Sequence, residues 1–322
     1  MPKIITITFN PALDKSTSVA ELIPDKKLYC TLPVCEPGGG GINVARAIKK
    51  LGGEATAIYL AGGYIGKKIT QMLSDEFIES IVIDIKENTR ENLVIADINN
   101  DKQYLFDMPG PKISEHEWQA CLRAIEQIPD VEYIIASGSL PSGVPTDIFA
   151  KISVIAQKKK ARLIVDTSGE ALNHAVKAGV YLIKPNLREL ASLVGKKDLD
   201  IGLVADMARE VIDRGNCEVV IVSMGTLGAM LVTKEMALNI MPPAMHAEST
   251  VGAGDSLVAG IVLSLIENKS LTEAVQFGVA CGTAATMHTG TELCIKKDVE
   301  NLYHKIRNQA PVTQITHLKL LL

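Results

Sequence analysis

Val219-Val220-Ile221-Val222-Ser223 is an apolar run that closes on a serine. An unbroken run of β-branched residues suits a strand of a parallel sheet buried on both faces; a strand with one wet face would alternate. Outward from it, Tyr181-Leu182-Ile183-Lys184, Leu163-Ile164-Val165-Asp166 and Tyr133-Ile134-Ile135-Ala136-Ser137 repeat the pattern, each ending on a polar residue. Residues 4–9 read as the first strand, stopped by Asn10-Pro11, and residues 55–61 as the next. Helical faces fall between them: Ile42, Ala45, Ile48 and Leu51 before Gly52; Trp118, Cys121, Leu122 and Ile125; Ile148, Ile152 and Ile155; Val204, Met207, Ala208, Val211 and Ile212 before Gly215. Strands alternating with helices predict an α/β fold, a doubly wound core sheet with helices on both faces. Ligands bind beyond the carboxyl ends of such strands. That rule collects Asp14, Ser137-Gly138-Ser139, Asp166, Lys184-Pro185-Asn186 and Ser223-Met224-Gly225.

Two stretches break the alternation. Residues 14–37 have no helical period, only short runs at 16–22 and 28–34, broken at Pro24-Asp25 and punctuated by Pro33 and Pro37. Within 92–106, Leu93-Val94-Ile95-Ala96-Asp97 and Gln103-Tyr104-Leu105-Phe106 flank the turn Asn99-Asn100-Asp101-Lys102, a hairpin signal. These pieces read either as a small sheet covering a cleft or as edge strands of the main sheet.

Composition narrows the function. At 322 residues and 34.6 kDa the chain buries a large core, and 47% hydrophobic with 22% charged residues is ordinary for a globular protein. Aromatics at 4% argue against a stacking platform for single-stranded nucleic acid. A net charge of −4 points away from nucleic acid and anionic membrane as partners. The six cysteines form no C-x-x-C pair and read as buried small residues of a reducing compartment. No apolar run reaches membrane-spanning length and the N-terminus lacks signal-peptide character, so the expected location is the cytoplasm.

Thr250-Val251-Gly252-Ala253-Gly254-Asp255-Ser256 precedes the helical pattern Leu257, Val258, Ile261, Val262, Leu265. Backbone amides at a helix start bind anions, and small residues let a ligand approach closely. Asp255 is then either a helix cap or a base; amides facing a transferring phosphoryl group, with a carboxylate for the acceptor's proton, account for all four residues Gly252 to Asp255. Gly38-Gly39-Gly40-Gly41-Ile42-Asn43 runs into a helix predicted over 44–51, as a flexible linker or as a loop beneath a bound sugar. It fails as a dinucleotide fingerprint, because the third glycine falls at Asn43, and residues 61–68 are only a near miss to a P-loop. Asn186 and Glu189, three apart at a helix start, form a capping box or hold a hydrated magnesium. Lys27 and Arg90 lie in or beside the irregular pieces, as solvated surface or as clamps on a substrate phosphate.

With these elements in order, the chain resembles the ribokinase-like (PfkB-family) sugar kinases, from Thr8-Phe9-Asn10-Pro11-Ala12-Leu13-Asp14 to about Gly290-Thr291. The branch it most resembles is the bacterial minor ATP-dependent 6-phosphofructokinases, with glycine at position 40, where kinases of fructose 1-phosphate and tagatose 6-phosphate carry lysine. The resemblance implies one kinase domain over 1–322 with a small β-sheet lid from segments of about 14–37 and 90–108. It implies ATP-dependent phosphorylation of fructose 6-phosphate at its 1-hydroxyl, with tagatose-6-phosphate kinase and 1-phosphofructokinase as alternatives. A non-catalytic sugar-phosphate-binding protein would be expected to lose Asp255 or its glycines, and both are present.

It further implies Asp255 as catalytic base with Gly252, Ala253 and Gly254 as anion hole. Asp14, Lys27, Gly39, Gly40, Gly41, Asn43, Arg90 and Ser139 would hold the sugar phosphate. Lys184, Asn186, Ser223, Gly225, Gly228 and Thr250 would hold ATP, with Val279, Gly282 and Thr283 bordering the adenine. Asn186 and Glu189 would hold Mg2+, while Ser249, Val251, Ala285, His288 and Gly290 would hold a monovalent cation such as K+. A homodimer through the lid is implied, with no nucleic acid or membrane partner. Ile23, Tyr29 and Glu292 depart from the branch; the first two, in the lid, would weaken phosphate affinity or broaden sugar choice.

Overall fold

The strands that read as continuous apolar runs lie side by side, buried on both faces. In the computed structural model, which describes residues 4–245, 247–288 and 292–308, the chain begins with β1 (Ile4–Thr8), β2 (Ala12–Val19), β3 (Val34–Gly38), α1 (Gly40–Lys50) and β4 (Thr56–Ala61). Then come α2 (Gly63–Asp75), β5 (Glu79–Asp84), β6 (Arg90–Asp97), β7 (Lys102–Phe106), α3 (Glu115–Gln127), β8 (Tyr133–Ser137) and α4 (Ile148–Lys159). Next are β9 (Arg162–Asp166), α5 (Gly169–Ala178), β10 (Val180–Ile183), α6 (Leu187–Leu193), α7 (Val204–Arg214) and β11 (Cys217–Ser223). The last described elements are β12 (Ala229–Val232), β13 (Ala237–Ile240), α8 (Ala253–Ile266), α9 (Leu271–Thr286) and α10 (Lys296–Arg307).

The main sheet has 9 strands in the order β13-β12-β11-β10-β9-β8-β1-β4-β5. Every pair from β11 to β5 is parallel, and β12 and β13 add an antiparallel edge. From β1 the chain winds first to β4 and β5, then returns to β8 on the other side. That reversal leaves a crevice past the ends of β1 and β8, where open α/β sheets take their ligands. One face is covered by α3, α4, α5 and α7, the other by α1, α8, α9 and α10, each with its own apolar cluster. The doubly wound α/β expectation therefore stands.

The two irregular stretches pair with each other and not with the main sheet, forming a separate sheet of 4 strands in the order β3-β2-β6-β7. The hairpin falls where its turn residues put it, with β6 and β7 antiparallel from Leu93–Phe106 to Asp97–Lys102. The run at 28–34 is not a strand: β3 starts only at Val34 and pairs with β2 through Gly38. A second correction concerns α1, which starts at Gly40, four residues ahead of the 44–51 expectation. Gly40 and Gly41 belong to its first turn because a side chain has no room: a Cβ would lie 2.2 Å from Ser137 Oγ at Gly40 and 2.5 Å from the Ile7 carbonyl at Gly41. The glycine run is thus a packing device, seating a helix directly on the ends of β1 and β8.

Elements α2, β5, α5, β12, β13 and α10 have no counterpart in the sequence reading. For α2 the reason is physical: it buries only Gly66, Ile69 and Leu73, too sparse a stripe to stand out.

Arg46 of α1 ties the small sheet to the core. Its side chain is buried; Nε and Nη2 bond Glu76 at 2.9 and 2.8 Å, Nη2 reaches Glu36 at 3.2 Å and Nη1 the Pro37 carbonyl at 3.1 Å. Glu36 and Pro37 lie on β3, Glu76 at the end of α2. Removing one side of a buried ion pair strands the other, at a cost of about 3 kcal/mol. Arg46→Ala should therefore lower Tm by roughly 5–10 °C in thermal denaturation, and Arg46→Lys, lacking the fork, should recover little of it.

Candidate active site

Helix α8 starts without a side-chain cap. Its N-cap is Gly252, at φ 75°, and a Cβ there would lie 2.7 Å from Leu293 Cδ2. First-turn amides of a helix have no intrahelical partner; here Ala253 N–H turns to the Thr250 carbonyl at 3.4 Å, and with no side-chain cap the others are available to an anion. Asp255 is the third helical residue, and its carboxylate does not cap the helix. Oδ2 accepts a hydrogen bond from Asn43 Nδ2 at 2.9 Å, and Oδ1 lies 3.5 Å from Ser137 Oγ. The cap reading is corrected on that geometry: Gly252 has the cap position, and Asp255 faces the strand ends.

Beside it stands Lys184, buried after β10, with Nζ 3.2 Å from Asp166 Oδ1. A Cβ at Gly254 would come 3.2 Å from the same Nζ, so the ammonium abuts the first turn of α8. Burial works to lower its pKa, but Asp166, Asp255 and Glu189 outweigh that and hold it above the ordinary lysine value. Asp255 itself is raised to about 6, by burial first and by the Asp166 charge second, against the pull of Asn43, Lys184 and Ser137. A carboxylate of that pKa is ionised at neutral pH and more basic than a free aspartate, as proton abstraction asks.

A second polar group surrounds Asp14 on β2. Asp14 is buried, accepts from Asn92 Nδ2 at 2.9 Å, and is raised to about 6 chiefly by burial. A Cβ on Gly38 would fall 1.9 Å from its Oδ2. Asn10, just past β1, donates to Ser139 Oγ at 3.0 Å while its own Oδ1 is buried without a partner. Arg90, first residue of β6, reaches the Asn10 carbonyl at 3.2 Å, which joins this group to the end of β1. Gly39, at φ 111°, makes the turn from β3 into α1. Asp14, Gly39, Gly40, Gly41, Asn43, Arg90 and Ser139 are therefore carried on elements that converge past β1 and β8. Lys27 is not drawn in: it is exposed, its ammonium 5.4 Å above the Tyr29 ring in the loop between β2 and β3.

On the other side of Asp255, Asn186 caps α6 and forms a reciprocal box with Glu189: Glu189 N–H donates to Asn186 Oδ1 at 2.9 Å and Asn186 N–H to Glu189 Oε2 at 2.8 Å. Ser223 ends β11 and bridges to Asn186; Gly225 and Gly228 make the turn that follows, with open space where a Gly225 side chain would be. On α9, Gly282 sits 3.0 Å (from its Cβ position) from the Ala253 carbonyl, and Thr283 Oγ1 bonds the Val279 carbonyl at 2.8 Å. Val279 is buried in the apolar cluster beneath α8. Glu248 and Ser249 donate through their backbone N–H groups to the Thr286 carbonyl, bringing the segment of Ser249, Thr250 and Val251 against the end of α9 with Ala285, and His288 lies 3.1 Å from Asp298. Gly290 and the tail 309–322 lie outside the described residues. Among the described residues no cluster of three or more His, Cys, Asp or Glu could cage a metal. What fits is a hydrated Mg2+ bound through Glu189 and phosphate oxygens.

Sequence reasoning missed Asn10, Asn92 and Asp107 as members of the site. Asn10 follows the first strand directly, so the strand-end rule reaches it. Asn92 is two residues from Arg90, on the same face of a strand.

A family model described as pfkB family carbohydrate kinase matches residues 7–298. The chain belongs to that family. A pfkB relative, the ATP-dependent 6-phosphofructokinase isozyme 2 of Escherichia coli, is 43% identical over 304 residues, 94% of this chain and 98% of its own. The crystal structure of that organism's phosphofructokinase-2 in complex with potassium superposes with a TM-score of 0.91 at 42% identity, covering 96% of this chain and 100% of its own. The same protein has been solved with fructose-6-phosphate and as a tetrameric inhibited form. The 1-phosphofructokinase of Bacillus subtilis is more distant, 31% identical over 90% of this chain and 95% of its own.

Because the folded-state pKa of Asp255 is raised, its contribution to stability is fully present below about pH 4 and is lost as pH rises through about 6. At pH 7.5 the buried charge costs about 3 kcal/mol. Asp255→Asn should thus abolish turnover, by about a thousandfold or more, while raising Tm at pH 7.5, an advantage that shrinks toward pH 4. Parallel turnover assays and thermal melts across pH check both. In the parent enzyme kcat/KM should fall as pH drops through about 6.

Proposed function

We propose that this pfkB kinase transfers the γ-phosphoryl group of ATP to the 1-hydroxyl of fructose 6-phosphate, giving fructose 1,6-bisphosphate and ADP. The observation that carries the reading is the Asp255 carboxylate, poised by Asn43 and Ser137 in the uncapped first turn of α8 with the Lys184 ammonium alongside. Asp255 takes the proton of the attacking hydroxyl. The amides from Gly252 to Gly254 and Lys184 stabilise the charge on the transferring group, which for phosphoryl transfer is most of the work. Asp14, Asn43 and Ser139 orient the sugar and Arg90 takes its phosphate; Lys27, exposed outside this group, would join Arg90 only through movement of the β2–β3 loop. Lys184, Asn186, Ser223, Gly225, Gly228 and Thr250 hold the nucleotide, and Val279, Gly282 and Thr283 border its base. Magnesium held by Glu189 and Asn186 would neutralise phosphate charge, and a monovalent cation would sit against Ser249, Val251, Ala285, His288 and Gly290.

The small sheet acts as the lid of a single kinase domain over 1–322. The sheet and its β2–β3 loop expose Tyr29, Leu32, Val34, Leu105 and Phe106, apolar surface suited to a second copy. Gly40, where kinases of fructose 1-phosphate and tagatose 6-phosphate carry lysine, supports fructose 6-phosphate as the acceptor. The test is kcat/KM, with ADP detection, across fructose 6-phosphate, fructose 1-phosphate, tagatose 6-phosphate and fructose. The first should lead, and a lead for fructose 1-phosphate would reassign the acceptor. Arg90→Ala and Lys27→Ala should each raise KM for the sugar phosphate by about tenfold or more with KM for ATP nearly unmoved.

A further inference from the structure

Arg90 is already occupied. Its side chain is 9% exposed, and Nη1 donates to the Asp107 carboxylate, to the Met108 carbonyl at 2.8 Å and toward Asn92 Oδ1 at 3.4 Å. Nη2 holds the Asn10 carbonyl, and Nε is buried without a partner. The Asp107 side chain, one residue past β7, is 70% exposed. The pair is lopsided: a cation fixed by backbone carbonyls meets a carboxylate that solvent can receive at little cost. Carboxylate and phosphate engage a guanidinium through the same planar fork, so Asp107 and a substrate phosphate compete for the same donors. The Asp107 charge also reaches the sugar site, since it is among the groups that push the Asp14 carboxyl upward.

We propose that Asp107 is a specificity-determining residue, an internal counter-ion that stands in the phosphate position on Arg90 and must be displaced by a phosphorylated acceptor. The proposal rests on the sugar-phosphate reading above and deepens it. An acceptor with a neutral end leaves the pair intact and meets no such barrier. Asp107 therefore weakens binding of sugar phosphates selectively and narrows the preference for them over free sugars.

The experiment compares the parent with Asp107→Asn and Asp107→Glu, measuring Kd for fructose 6-phosphate and for fructose by calorimetry without ATP, and steady-state turnover with ATP. Asp107→Asn should tighten fructose 6-phosphate by at least about tenfold and leave fructose and the KM for ATP unchanged, while Asp107→Glu stays within about twofold of the parent. Thermal melts confirm that these substitutions at an exposed side chain leave the fold intact. An unchanged or weakened affinity for fructose 6-phosphate in Asp107→Asn, or an equal shift for both sugars, overturns the proposal and leaves Asp107 a mere support for Arg90. The binding shift without turnover of fructose 6-phosphate in either protein supports the counter-ion and overturns the acceptor assignment instead. No binding of fructose 6-phosphate by Asp107→Asn overturns both.

Discussion

The contact between Asn43 and Asp255 joins residues 212 apart in sequence, and the geometry of the site depends on it. Each residue lies in the first turn of a helix, α1 and α8, and each helix begins on small residues. The two starts meet over the ends of β1 and β8 only because Gly40 and Gly41 let α1 come down onto those strands. A side chain at Gly41, which would meet the Ile7 carbonyl, would lift α1, withdraw the Asn43 amide and leave Asp255 unaimed. Close packing here sets chemistry, since a catalytic carboxylate is only as well placed as the backbone beneath it.

Charge is the second constraint. Around the buried Lys184 ammonium stand Asp166, Asp255 and Glu189, more carboxylate than ammonium. A nucleoside triphosphate entering bare would meet that negative field, which is why the residue set fits a phosphate group accompanied by a divalent cation. Asp255 is raised by its burial first and by the Asp166 charge of this cluster second, so the same surroundings that crowd Lys184 also make this carboxylate more basic.

Much of this was legible beforehand, and the gaps have physical causes. The strands of the parallel sheet announce themselves because both faces are buried, which writes every residue apolar from Val219 to Val222. The loop Gly252 to Asp255 was found because three small residues before an acid are hard to explain otherwise. Residue chemistry alone left cap and base both open at Asp255, since that choice turns on where a carboxylate points, and only the family resemblance favoured the base. The start of α1 escaped, since four glycines carry no helical pattern and their reason is a strand beneath them. Asp107 was unreadable, because an exposed acid after a hairpin looks like any solvated residue until its partner is seen.

The small sheet leaves the core after β1 and returns at α1, then leaves again after β5 and returns ahead of α3. Both excursions start and finish at the same rim of the main sheet, and their strands pair only with one another. The register of the nine core strands is consequently independent of how long these excursions are. A lineage can therefore enlarge or trim this module while the strand order beneath it is inherited untouched.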